Sequence, residues 1–106
     1  MVENEIKELL AAPRAVHDRA FLDRVDATLT AGYAHALQLE GERWRLERRL
    51  GEVAAQFADP ANGARTEELA SLSQRLTSTS EDISTLRALL SSLRDRRSEL
   101  RIARAS

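Results

Sequence analysis

The 106-residue chain contains no cysteine, which excludes a disulfide framework, thiolate metal sites and thiol nucleophiles. Two prolines and four glycines cannot punctuate a chain that turns every ten residues or so, and this excludes all-β and α/β folds. Aromatic residues make up only 4%, and Lys7 is the sole lysine among 16 basic residues. No apolar run approaches the ~18 residues of a membrane span. The opening stretch MVENEIKELL is acidic and amphipathic rather than signal-like, so a soluble, cytoplasmic protein is expected. Neither acid nor base predominates: the formal net charge is -1, which argues against bulk attraction to nucleic acid or an anionic membrane.

What remains is helix-forming sequence, 42% apolar and 31% charged, too apolar for a disordered chain. Val2, Ile6, Leu9 and Leu10 mark a short amphipathic helix over 1–12, and Pro13 suits the first turn of a new one. The only turn cluster is Asp59-Pro60-Ala61-Asn62-Gly63. Thr66 follows as an N-cap candidate, with Glu67 and Glu68 in the next turn.

On either side of that cluster runs a heptad seam. The first reads Leu22, Val25, Leu29, Gly32, Ala36, Leu39, Arg43, Leu46, Leu50, Val53, Phe57. The second reads Leu69, Leu72, Leu76, Thr79, Ile83, Leu86, Leu90, Leu93, Arg97, Leu100. Steps of three and four hold one stripe toward a partner helix. The expected fold is therefore all-α: a long antiparallel two-helix coiled-coil hairpin over 13–106, with helices at about 14–58 and 66–104. Pairing a with d positions places Phe57 opposite Leu72, Leu50 opposite Thr79, Leu39 opposite Leu90, Ala36 opposite Leu93 and Gly32 opposite Arg97.

Apolar residues also lie off the seam. Tyr33, Leu37 and Trp44 form a second stripe on the first long helix, and Leu89 and Ile102 lie off the seam on the second. The short N-terminal helix reaches only the near end of the hairpin, so the stripe calls for another chain. Homodimerisation into a four-helix bundle is the expectation, with a different protein partner as the alternative.

Catalytic constellations are missing. His17 and His35 have no ligand partners at metal-site spacing, and there is no phosphate loop or nucleophile elbow. The seams contain no Asp or Glu, so a di-iron bundle is excluded; no enzyme and no metal are expected. Charge is uneven along the chain. Residues 87–106 hold six Arg against Asp95 and Glu99, whereas residues 1–60 hold eight basic and eleven acidic side chains. Positive charge at a helix C-terminus complements the macrodipole, and an anion site or an acidic partner is the sharper reading. In Arg43-Trp44-Arg45-Leu46-Glu47-Arg48-Arg49, Trp44 is open to two uses, stacking on a base or a buried dimer contact.

One stretch carries a family likeness. Residues 81–95, Glu-Asp-Ile-Ser-Thr-Leu-Arg-Ala-Leu-Leu-Ser-Ser-Leu-Arg-Asp, followed by Glu99-Leu100-Arg101, resemble the ligand-binding helix of RsiG-type anti-sigma factors. Those proteins are antiparallel helical hairpins that hold a sigma factor when cyclic di-GMP is bound. Their helix carries Glu, then Ser four later, Arg three later, Gln four later and Asp four later. Ser84, Arg87 and Asp95 match that spacing, while Ser80 stands for the Glu and Ser91 for the Gln. A second frame, with Glu67, Ser71 and Asp82 matching and Gln74 and Ser78 departing, scores equally.

The resemblance implies a non-enzymatic regulator that sequesters a transcription factor, with cyclic di-GMP as ligand and Ser84, Arg87, Ser91 and Asp95 as its contacts. Arg87 suits a phosphate or the Hoogsteen edge of guanine, and Asp95 suits the N1 and N2 donors of that base. The competing expectation is a ligand-free coiled-coil scaffold or adaptor that uses Tyr33, Leu37 and Trp44.

Overall fold

A computed structural model of the chain describes residues 1–13, 18–56 and 65–105. Among the described residues three helices form in order: α1 (Val2–Ala11), α2 (Arg19–Gln56) and α3 (Arg65–Ala105). Among the described residues there is no strand, and α2 and α3 pack as an antiparallel hairpin. The chain divides into two compact units, Met1–Leu37 with Ser84–Ser106, and Gln38–Ile83; α2 and α3 contribute to both.

Local chemistry sets the helix ends. Glu3 and Glu5 place negative charge in the first turn of α1, where unpaired N–H groups favour it. Ala12 is extended, at φ -63° and ψ 137°, because the ring of Pro13 disfavours helix at the preceding residue. Pro13 thus ends α1 rather than opening the next helix. Helix α2 starts at Arg19 rather than at residue 14, and Asp18 caps it: the Phe21 N–H donates to Asp18 Oδ1 at 2.9 Å, and the Leu22 N–H donates to its carbonyl at 3.0 Å. Helix α3 begins at Arg65, so Thr66 lies inside the helix rather than at its cap; Glu67 and Glu68 do occupy the first turn. The turn cluster at 59–63, Phe57 and His17 lie outside the described residues.

In the unit Met1–Leu37 with Ser84–Ser106, the buried side chains include Val25, Leu29, Ala36, Leu86, Leu90, Leu93 and Leu100 of the two seams. Ile6 and Leu9 of α1 are also buried, as are Phe21 and Thr28, which precede seam positions of α2. Leu9 and Phe21 line one groove together with Glu8, Ala12, Asp18, Ala20 and Arg24, so α1 lies beside the first turns of α2. In the unit Gln38–Ile83, Leu46, Val53 and Leu72 form a buried cluster, with Leu50, Leu69 and Leu76 packed against it. Every described seam residue is buried or half-buried.

The pairing differs from the expected one by a full heptad. Gly32 faces Leu90 rather than Arg97: a Cβ built on Gly32 would run into Leu90 Cδ2 and lie 3.4 Å from its Cγ. Arg97 instead meets Asp26 in an ion pair. In the other unit Leu50 packs with the cluster around Leu72, not opposite Thr79. The pairings Leu39–Leu90 and Ala36–Leu93 move by the same heptad. This alignment puts the seam's polar interruptions level with each other, Arg43 with Thr79, and supplies Arg97 with a carboxylate. Polar side chains in a seam cost stability unless they are paired or reach water.

Candidate functional site

Buried Leu86, Leu90 and Leu93 lock one stripe of α3 into the seam and turn the stripe containing Ser84, Arg87, Ser91 and Asp95 outward. All four of these residues are exposed and lie in the same unit. Ser80, at the position of the family's Glu, is half-buried. The groove around Leu46 and the groove around Leu9 contain none of the four. The second frame of the motif falls differently. Its Ser71, Gln74 and Ser78 line an open groove of about 310 Å³ with Glu42, Leu46, Arg75 and Thr79, all in the unit Gln38–Ile83.

The apolar stripe of α2 is solvent-facing. Tyr33 is 44% exposed and Leu37 69% in one unit; Trp44 is 56% exposed in the other. One helical turn beyond Trp44, the Arg48 guanidinium sits 4.9 Å from the indole centroid, a cation–π contact that covers part of the ring from within the chain. Ile102 is exposed at 69%, whereas Leu89 is half-buried and so does not belong to the open surface.

The arginines that interrupt the seams have acidic partners. Arg43 Nε lies 3.9 Å from Glu47 Oε1, one turn on. Arg97 Nε and Asp26 Oδ1 are both withdrawn from solvent, and no hydrogen bond from a third group reaches either. Asp26 was not legible as a site residue before the register was fixed. Its position one past Val25 becomes informative only when Arg97 is level with it.

In the unit Gln38–Ile83, Arg49 forks onto Glu68, with Nε at 3.1 Å and Nη2 at 2.7 Å from Oε1, and Glu52 lies 3.4 Å from Nη1. Hydrogen bonding to Glu68, reinforced by its charge and by Glu52, raises the pKa of Arg49 above its ordinary value. Among the described residues no group of three or more His, Cys, Asp or Glu side chains could hold a metal. His35 is half-buried on α2. No described helix is long and apolar enough to cross a membrane. No known protein family, curated protein or solved structure matches the chain.

Proposed function

We propose that the chain is a non-enzymatic regulatory interaction protein, a helical hairpin that docks another protein in the manner of an anti-sigma factor sequestering a transcription factor. The observation that carries this reading is the exposure of Tyr33 and Leu37 on α2 beside an exposed polar stripe on α3 in the same unit. Large apolar side chains held in water by a rigid helix favour a partner surface. In the finer reading, cyclic di-GMP is the controlling ligand: Arg87 contacts a phosphate or stacks on guanine, Asp95 accepts from its N1 and N2 donors, and Ser84 and Ser91 hydrogen-bond to phosphate. Calorimetric titration with cyclic di-GMP tests this. Micromolar binding by the wild type that disappears in Arg87→Ala supports it, and no heat with the wild type removes the ligand from the account.

The exposure of Trp44 favours a second reading. In it the hairpin is a ligand-free coiled-coil adaptor that self-associates as a homodimer, forming a four-helix bundle. Light scattering separates the two. A monomer at tens of micromolar rejects the bundle, and a dimer dissolved by Leu37→Glu supports it.

A further inference from the structure

Three consecutive heptads of α3 repeat one pattern: Ser84-Thr85-Leu86-Arg87, Ser91-Ser92-Leu93-Arg94 and Ser98-Glu99-Leu100-Arg101. In each repeat the leucine is buried in the seam, and the serine and the arginine are exposed. The whole run lies in one unit. Because its period equals that of the seam, the three arginines keep to one line, at intervals of about 10.5 Å for about 1.5 Å per residue. The cyclic di-GMP reading uses Arg87 and leaves Arg94 and Arg101 without a role.

The two flanks of the hairpin in this unit differ. Residues immediately before the a positions of the seam lie on one flank: Phe21 and Thr28 are 4% and 6% exposed, and Leu89 and Arg96 are half-buried. That is the flank beside α1, since Phe21 shares its groove with Leu9. Residues immediately after the d positions (Val25 and Gly32 on α2; Leu86, Leu93 and Leu100 on α3) lie on the other flank: Asp26 and Tyr33 on α2, and Arg87, Arg94 and Arg101 on α3. Leu37, one turn beyond Tyr33, extends the apolar edge. The second flank is therefore basic along α3, and along α2 it is apolar at Tyr33 and Leu37 beyond Asp26, whose carboxylate is held by Arg97.

Building on the interaction reading above, we propose that this flank seats an amphipathic helix of a partner protein that carries carboxylates at heptad spacing. The period selects the occupant. A helix wound against this pair presents one flanking position every seven residues, in step with the arginine row, so each carboxylate meets a guanidinium. Its apolar face then covers Tyr33 and Leu37. Small serines beside the arginines let that helix approach closely and can donate to the same carboxylates. Duplex nucleic acid carries a charge every ~1.7 Å of its axis and demands no seven-residue period from its binder.

The test uses the full chain and a fluorescent synthetic peptide of ~28 residues, four heptads with a Leu/Ala face and Glu at one flanking position of each. A control peptide has the same composition with the glutamates moved off that phase. The in-phase peptide is expected to bind roughly tenfold more tightly than the control, and roughly tenfold more weakly to Arg94→Glu/Arg101→Glu than to the wild type. Arg94→Gln/Arg101→Gln must shift affinity in the same direction, which guards against misfolding of the charge-reversed variant. Since Arg87 is untouched in both variants, cyclic di-GMP binding is left intact, and the two readings fail separately. Equal binding of both peptides, no binding of the in-phase peptide, or unchanged affinity of the variants overturns the proposal. So does displacement of the peptide by an equal concentration of short duplex DNA. A wild-type dimer that Arg94→Glu/Arg101→Glu dissolves would also overturn it, because the occupant would then be a second copy.

Discussion

A methyl group added to Gly51 would meet nothing within 4 Å, so Gly51→Ala changes only the backbone's freedom. Alanine restricts the unfolded chain and suits the helix interior, and the variant is expected to gain about 0.5–1 kcal/mol in urea melts followed by circular dichroism. Gly32→Ala carries the same local benefit and meets Leu90, which is buried at 2% exposure and has little room to rotate away. Overpacking of this kind costs about 1–3 kcal/mol, so the expected net effect is a loss of about 1 kcal/mol. A stabilised Gly32→Ala would mean that α3 does not approach α2 at this level. The Asp26–Arg97 pair is a weaker anchor, because both side chains keep a third or so of their surface in water. A double-mutant cycle with Asp26→Asn and Arg97→Gln should return a coupling of about 0.5–1 kcal/mol that falls with added salt.

At the scale of the helices, seam and class were legible and register was not. Leucines at alternating three- and four-residue steps specify which face is buried wherever the residues are described, and Val25, Leu46, Leu86 and Leu93 are all inside. Such a pattern repeats every seven residues, so sliding one helix by a heptad preserves every apolar match. Only the polar interruptions and the turn break that degeneracy. The pairing of Arg97 with Asp26, not with the space at Gly32, is what the repeat could not reveal. The start of α2 was hidden for a different reason: Pro13 is compatible with either end of a helix, and the deciding signal is the side chain of Asp18. Asp18→Ala should therefore cost about 1 kcal/mol, with Asp18→Asn retaining most of the cap. The register has its own test. In a chain without native cysteine, Gly32→Cys/Leu90→Cys should oxidise readily to an internal disulfide, and Gly32→Cys/Arg97→Cys should not; the reverse pattern restores the other alignment.

At the largest scale, the informative feature is that the two flanks of the unit Met1–Leu37 with Ser84–Ser106 are not equivalent. A two-helix seam alone buries one narrow stripe per helix, which leaves long helices thinly supported. Here α1 contributes Ile6 and Leu9, both nearly inaccessible, beside Phe21 and on the flank away from the arginine row. The short helix thus thickens the core of its unit without covering Tyr33 or Leu37. Truncating both contacts, in Ile6→Ala/Leu9→Ala, removes well-packed apolar volume and uncovers Phe21, and should lower stability by about 4 kcal/mol, the two losses sharing neighbours and so falling short of additive. Lys7→Ala, on the exposed side of the same helix, should stay within about 0.5 kcal/mol of the wild type. Urea unfolding of the two variants side by side decides the matter. If the double truncation were as mild as Lys7→Ala, α1 would not be part of the packed unit, and the flank beside Phe21 would be as available to a partner as the one beside Tyr33.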